Sequence, residues 1–285
     1  MKRTCDLHTH SNYSDGTWTP EQLIREAEAL GLEAVALCDH NTLDGVPDFL
    51  EAAVGSKVHA VPGVEFSTEY RGEELHILGL FVRPEQYPAI EERLMEVLIR
   101  KEQSNRNLIA GLAGAGIVLD YKAIKAGTAS GLVNRAVIAA EMVRQGYCSS
   151  IQEAFKSWLS PKFGYFVPPK RMDAHETIRF IHNLGAVAVL AHPFLNLEEE
   201  ALREFLAQAE GLDGMETEYV SFTPEQRAKA REIAAEFGLL CSGGSDFHAD
   251  NKPDIRMGTG RGDLQVDAEL FWAFEALARQ KMEQK

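Results

Sequence analysis

The sequence predicts an α/β protein whose strands close into a barrel. Short apolar runs alternate with amphipathic segments along the chain, and this alternation is typical of parallel strands connected by helices. About seven such strands follow one repeating order, which favours a barrel over an open sheet. Residues 99–170 interrupt this order with helical patterns and no convincing strand, so we predict an α-helical insertion there.

Capping residues, turns and apolar periodicity place the individual elements. The first helix is predicted to begin at Pro20 after the N-cap Thr19 and to end at Gly31. Phe66–Tyr70 and Glu74–Val82 are predicted to pair as a hairpin. The other predicted strands are Arg3–Leu7, Glu33–Cys38, Lys57–Val64, Ala186–Ala191, Gly214–Thr217 and Leu239–Ser242. The predicted helices are Pro20–Leu30, Asp44–Val54, Glu85–Leu112, Ala136–Gln145, Ile151–Leu159, Ala174–Leu184, Leu197–Ala209, Pro224–Phe237 and Ala268–Met282.

Composition limits the class of protein and its partners. The 285 residues are 45% hydrophobic and 25% charged, which is typical of a globular protein with a substantial core. The net charge of −14 argues against binding to long nucleic acid and against a basic membrane-surface role. The four cysteines form no C-x-x-C pair, and no signal-like or membrane-spanning segment is visible. We therefore expect a cytoplasmic protein with free thiols and no membrane partner.

Candidate metal ligands lie at or just after the ends of the probable strands. They are His8, His10, Asp15, His40, Glu65, His76, His192, Asp246 and His248. The strand ends of an α/β barrel converge on one rim, so we expect these side chains to meet there. Imidazole nitrogens mixed with carboxylate oxygens suit Zn, Mn or Fe rather than Ca. Nine ligands are too many for one ion and suit two or three ions if a carboxylate bridges them.

Six motifs containing these ligands run from the first strand to near the last. They are D-L-H-T-H-S-x-x-S-D-G at Asp6–Gly16, C-D-H-N-T at Cys38–Thr42, G-V-E-F-S at Gly63–Ser67, H-I-L-G at His76–Gly79, A-H-P at Ala191–Pro193 and S-D-F-H at Ser245–His248. On these motifs the sequence resembles the PHP (polymerase and histidinol phosphatase) domain family of metal-dependent phosphoesterases. The resemblance implies a distorted (β/α)7 barrel, which agrees with the strand order. With the insertion, we predict a metal-binding barrel of residues 1–98 and 171–285 and a helical cap of residues 99–170.

The resemblance also implies how three divalent ions, Mn, Fe or Zn, would be shared among the ligands. The first ion would take His8, His10, Glu65 and Asp246; the second Asp15, His40 and His248; and the third Glu65, His76 and His192. Glu65 would thus bridge the first and third positions. At the second position Asp15 replaces a histidine found in some family members, which leaves the metal's identity open. We predict Glu65, Asp246 and His192 as catalytic residues, around a bridging water that deprotonates near neutral pH and attacks phosphorus.

The predicted insertion differs in charge from the rest of the chain. It holds ten basic and four acidic residues, a net charge of +6, which leaves −20 elsewhere. A basic cap would attract a phosphorylated substrate to an acidic, metal-filled barrel. Its layout resembles PHP members that act on nucleoside monophosphates, nucleoside 3′,5′-bisphosphates or short oligonucleotide ends. Within that resemblance, Arg135, Tyr165 and Lys170 are the predicted substrate contacts.

Three functions remain open from the sequence. The first is a metal-dependent phosphoesterase that hydrolyses a phosphate ester of a small nucleotide. The second is a phosphatase for a non-nucleotide, such as histidinol phosphate or a sugar phosphate. The third is a metal-bound scaffold without turnover, against which the complete ligand set argues. The sequence does not determine the oligomeric state.

Overall fold

The structure is a computed structural model that describes residues 3–128 and 133–284. Within those two ranges no helix has the length and apolar character required to cross a membrane. The chain divides into two compact units, one formed by Met1–Glu91 with Arg171–Lys285 and the other by Glu92–Lys170.

The first unit contains a mixed sheet that curls into a nearly closed barrel. Its strands are β1 Cys5–Thr9, β2 Ala34–Leu37, β3 His59–Tyr70, β4 Glu73–Leu80, β5 Met172–Asp173, β6 Val187–Leu190, β7 Gly214–Tyr219 and β8 Leu240–Gly244. They are ordered β1-β2-β3-β4-β6-β7-β8, and β5 pairs with β3. Only β4 runs antiparallel to its neighbours, β3 and β6. A bridge between Thr9 and Phe247 joins the first strand to the segment after the last, which confirms the predicted distorted barrel.

Helices connect the strands of the first unit and make up most of the second. They are α1 Pro20–Leu30, α2 Val46–Ala52, α3 Tyr87–Gly114, α4 Tyr121–Ala126, α5 Arg135–Arg144, α6 Ile151–Ala154, α7 Ala174–Leu184, α8 Glu199–Leu206, α9 Pro224–Glu236 and α10 Ala268–Glu283. The start of α1 matches its prediction: Thr19 and Gln22 form a capping box, and Gly31 ends the helix with φ of 69°. A π-helical turn, Phe155–Leu159, continues α6. The short helix α4 was not predicted.

One predicted break in the sheet is wrong. Lys57–Val64 and Phe66–Tyr70 were predicted as separate strands, but β3 runs without interruption through Glu65. Its first residues pair with β2 and the rest pair with β4. A charged residue in an apolar run normally indicates a strand end, whereas this carboxylate stays inside the strand because histidines surround it. The two-residue strand β5 was also missed, because its pairing with β3 leaves no periodic signal.

The barrel core is apolar and closely packed. Residues of β1, β2, β4 and β6 pack together with Phe271 and Phe274 of α10. Gly214 at the start of β7 is required here, because a Cβ atom would lie 2.6 Å from the Phe274 ring and 2.7 Å from the Leu240 carbonyl oxygen. The four cysteines are free thiols.

The second unit has an apolar cluster of its own. Leu108, Leu112, Ile138, Met142 and Leu159 are among its fully buried members. A helix begins at Arg135, as its predicted position at a helix start requires, after the N-cap residue. The second unit therefore has a hydrophobic core of its own.

Candidate metal centre

All nine predicted ligands lie at one end of the barrel strands. Within residues 3–128 and 133–284, three groups of donor atoms are close enough to hold an ion, each with its atoms within 4.8 Å of one another. The groups are His10 with Asp15, His40 and His248; His8 with His10 and Asp246; and His40 with Glu65 and His76. His10 and His40 each belong to two groups, so the three groups form one connected cluster.

Glu65 is the centre of the cluster. Its Oε1 lies 2.8 Å from Nδ1 of His76 and 3.2 Å from Nε2 of His192. Its Oε2 lies 3.0 Å from Nδ1 of His40 and 3.3 Å from Nε2 of both His8 and His10. Each oxygen thus faces a different set of histidines, which is the arrangement that a bridging carboxylate requires.

Two further carboxylates face the cluster from either side of His10. The Asp246 Oδ1 atom lies 3.1 Å from Nε2 of His10 and 3.8 Å from Nε2 of His8. Asp15 Oδ1 lies 3.2 Å from Nε2 of His248, and its Oδ2 lies 3.8 Å from Nε2 of His40. Asp246 is nearly buried, whereas about half of the Asp15 side chain is exposed.

The buried donor atoms of the cluster fit divalent cations. Among the described residues, several ligand atoms are buried without a hydrogen-bond partner: Nε2 of His8, both ring nitrogens of His10, Nδ1 of His40, Oε2 of Glu65 and Nδ1 of His76. Buried polar atoms in native proteins are almost always satisfied. Metal coordination would satisfy these nitrogen and oxygen donors together, and their mixture suits transition metals.

The electrostatics of the cluster point the same way. Burial lowers the pKa of His10 to about 3, so this ring stays neutral and able to ligate. Burial opposes protonation of His76 as well, but the nearby charge of Glu65 and a hydrogen bond to Glu74 raise its pKa to about 10. Burial would raise the pKa of Glu65, yet the surrounding histidines hold it well below its usual range. The carboxylates therefore remain negative and attract cations.

Comparison with known proteins agrees with the fold and the cluster. The sequence model of the PHP domain family matches residues 6–160 of this chain. The chain belongs to the PHP domain family.

PHP relatives span nearly the whole chain. A 5′-3′ exoribonuclease from Haemophilus influenzae is 35% identical over 251 residues, which cover 87% of this chain and 91% of that protein. A 3′,5′-nucleoside bisphosphate phosphatase from Chromobacterium violaceum is 30% identical over 250 residues, covering 86% of this chain and 87% of that protein. A solved structure from Bifidobacterium adolescentis, assigned as a metal-dependent phosphoesterase, has a TM-score of 0.78 at 27% identity and covers 96% of each chain. The two curated relatives are phosphoesterases that act on nucleotides.

A buried carboxylate behind the PHP cluster was missed in the sequence. Glu216, in β7, accepts a hydrogen bond from Nδ1 of His8 at 3.0 Å and another from the backbone N–H of His192 at 2.6 Å. Carboxylates placed behind metal-ligating histidines fix the tautomer of the ring. The sequence did hold one signal for Glu216: it is a charged residue within a predicted barrel strand, β7, to which no candidate ligand was assigned.

Two residues hold the far oxygen of Asp246. Tyr219 donates its hydroxyl to Asp246 Oδ2 at 2.8 Å, and the Lys252 ammonium donates to the same oxygen at 2.7 Å. Oδ1 is left facing His8 and His10. Neither Tyr219 nor Lys252 was predicted, because neither belongs to a motif with recognisable spacing.

Two buried aspartates of the PHP motifs support the loops instead of facing the cluster. Asp6 accepts hydrogen bonds from the Ser245 backbone N–H at 2.9 Å and from its hydroxyl at 2.5 Å. Asp39 accepts bonds from the backbone N–H and hydroxyl of Ser11 at 2.8 Å and 2.6 Å. These contacts fasten the segments that carry Asp246 and His10.

Backbone strain also concentrates at the cluster. Among the described non-glycine residues with positive φ are Asn41 at 52°, His192 at 29° and Asp246 at 52°. Such conformations carry a free-energy cost and persist where surrounding contacts impose them, often at functional sites. Here they direct candidate ligand side chains or their immediate neighbours after three strands.

The three predicted substrate contacts lie in the second unit, where their role stays a prediction. The Arg135 guanidinium lies 4.2 Å from the centroid of the Phe166 ring and donates to the Leu159 carbonyl at 3.3 Å. Tyr165 is half-buried, with its ring 5.8 Å from that of Trp158. Lys170 is exposed. Arg135 therefore contributes to packing within its own unit whether or not it also binds substrate.

Proposed function

We propose that this PHP protein is a metal-dependent phosphoesterase that hydrolyses a phosphate ester of a small nucleotide. The observation that supports it most directly is Glu65, a buried carboxylate whose two oxygens face separate sets of histidines. An arrangement of this kind is expected where one carboxylate bridges two ions. A non-catalytic scaffold has no need for so many converging donors with unsatisfied atoms.

Three divalent ions, Mn, Fe or Zn, are proposed to occupy the cluster. His8, His10, Glu65 and Asp246 would hold the first, Asp15, His40 and His248 the second, and Glu65, His76 and His192 the third. When bound, such ions supply an activated water and neutralise charge on the phosphoryl oxygens. The chain contributes fixed ligand geometry, since Glu216 holds His8 and His192 while Tyr219 and Lys252 hold Asp246.

A nucleotide substrate is supported by the relatives and by the charge of the second unit. An exoribonuclease and a nucleoside bisphosphate phosphatase both cleave phosphate esters of nucleotides. The net charge of +6 in residues 99–170 would favour an anionic substrate. We propose Arg135, Tyr165 and Lys170 as substrate contacts in this unit. The acidity of the whole chain disfavours broad binding of long nucleic acid, but a relative that degrades RNA makes an RNA end a substrate worth testing.

The test is product analysis with metal-loaded protein on four substrates. These are AMP, adenosine 3′,5′-bisphosphate, a 5′-phosphorylated RNA oligonucleotide and histidinol phosphate. We expect the nucleotides to be hydrolysed, with activity lost after treatment with a chelator and restored by Mn²⁺, Fe²⁺ or Zn²⁺. Inorganic phosphate from the bisphosphate would identify a phosphatase, whereas mononucleotides from the RNA would identify an exonuclease.

Matched variants separate metal chemistry from folding. Glu65→Gln should abolish hydrolysis, while Glu69→Gln, on the same strand, should leave it intact because that half-buried carboxylate belongs to none of the three donor groups. Hydrolysis of histidinol phosphate alone would refute the nucleotide assignment. No hydrolysis of any substrate by protein that holds its metals would refute the phosphoesterase assignment.

A further inference from the structure

Two side chains continue outward from the cluster beyond His76. The His76 ring has Nδ1 at 2.8 Å from Glu65 Oε1 and Nε2 at 3.4 Å from Glu74 Oε1. Arg171 donates twice to Glu74, from Nε to Oε1 at 3.1 Å and from Nη2 to Oε2 at 2.7 Å. The His76 side chain is 17% exposed, whereas that of Arg171 is 31% exposed and that of Glu74 is 41% exposed. His76, Glu74 and Arg171 therefore form a chain of contacts from the buried Glu65 to the protein surface.

Three separate segments of the chain meet at Glu74. The two-residue strand β5, which directly follows Arg171, pairs in parallel with β3, so that Met172 lies beside Thr68. In the loop after β6, Asn196 donates its side-chain amide to the backbone carbonyl of Glu74 at 2.7 Å. Both the backbone and the side chain of Glu74 are thereby held in place.

We propose that Arg171 is a positioning residue for the metal position formed by Glu65, His76 and His192, acting through Glu74. A bidentate arginine fixes the carboxylate in one orientation. The carboxylate then accepts the proton on Nε2 of His76, which leaves the Nδ1 lone pair facing the cluster. This inference rests on the proposed function only in that the cluster must hold metal.

The contribution of this ion pair to folding should be small. Arginine–carboxylate pairs with this exposure add little to stability because solvent screens them and their side chains lose freedom on pairing. Loss of the guanidinium should therefore act on metal retention and leave the fold intact. A residue that only supported the fold would show the opposite pattern.

The test measures metal retention in the variant Arg171→Ala. Wild-type and variant proteins are loaded with Zn²⁺, dialysed against increasing chelator concentrations, and analysed for Zn²⁺ per chain by mass spectrometry. We expect one class of site in the variant to lose Zn²⁺ at a chelator strength at least about 10-fold lower than in wild type. The melting temperature of the metal-free variant should stay within about 3 °C of wild type.

Further variants show whether Arg171 acts through Glu74. Glu74→Ala should reproduce the loss, and adding Arg171→Ala to it should cause no further weakening, because the two residues act in series. Arg179→Ala, at an exposed arginine on α7, is the matched control and should retain Zn²⁺ as wild type does. Unchanged retention in Arg171→Ala, additive effects in the double variant, or a raised KM with unchanged retention would each overturn the proposal. A wild-type protein that holds no metal would instead refute the proposed function.

Discussion

Replacing Glu216 by glutamine should weaken metal binding although this side chain touches no metal position directly. The two carboxylate oxygens accept from two donors, Nδ1 of His8 at 3.0 Å and the backbone N–H of His192 at 2.6 Å. A glutamine has one acceptor oxygen and one amide that can only donate. The backbone N–H of His192 can only donate, so it would bind the amide oxygen of the new glutamine. The amide group would then face Nδ1 of His8.

With a donor facing Nδ1, His8 would have to adopt its other neutral tautomer. Its proton would move to Nε2, which lies 3.3 Å from Glu65 and belongs to the cluster. Loss of such a supporting partner costs about 10- to 100-fold in metal affinity, or about 1.4–2.8 kcal/mol. We expect the upper part of this range, because Glu216 is fully buried and no water can replace the missing acceptor.

Chelator competition followed by metal analysis measures this effect. Glu218→Gln is the matched control, since Glu218 lies two residues later in the same strand and pairs with Arg231 instead of a histidine. A thermal melt of each metal-free protein would show whether folding is affected. Glu216→Gln with wild-type metal affinity would refute the reasoning, as would an equal loss in Glu218→Gln.

Three further predictions use the same protein preparations. Glu65→Gln should lose metal and nearly all hydrolysis because one carboxylate is proposed to serve two ions; full metal content with normal turnover would exclude the bridge. Metal uptake should release protons and strengthen as the pH rises toward about 10, because the raised pKa of His76 means that a proton must leave before Nδ1 can bind an ion; pH-independent binding measured by calorimetry would contradict this. Arg135→Ala should lower kcat/KM with metal content unchanged, and should reduce the free energy of unfolding by about 1 kcal/mol because its stacking on Phe166 is lost; unchanged kcat/KM in steady-state assays would leave Arg135 a structural residue.

The barrel could be predicted because its signals are local and repeated. The capping box at Thr19 and the αL glycine at Gly31 each depend on a few adjacent residues. The strand through Glu65 was divided in the prediction because a charged residue in the middle of a strand is explained only by neighbours distant in the sequence. β5 was missed for the same reason, since its place depends on pairing with β3.

The candidate ligands could be predicted because most of them lie at or just after the end of an apolar run and the topology gathers these positions at one rim, although Glu65 and His76 lie inside β3 and β4. The supporting residues could not be predicted in this way. Glu216, Tyr219 and Lys252 matter through single contacts with His8, His192 and Asp246, and no spacing rule connects them to those residues. Arg135 was placed correctly at a helix start, but its contact with Phe166 depends on how the second unit packs.

The closure of the barrel beside the cluster bears on how the protein matures during synthesis. His10 leaves the ribosome long before its partner Asp246, because most of the barrel and the second unit lie between them in the sequence. The hydrogen bond from the His10 backbone N–H to the Phe247 carbonyl, at 2.9 Å, forms only when both ends have met. A nascent chain that ends before Asp246 therefore cannot assemble the complete set of candidate ligands. Full metal occupancy would mark molecules in which the first and last strands of the barrel have met.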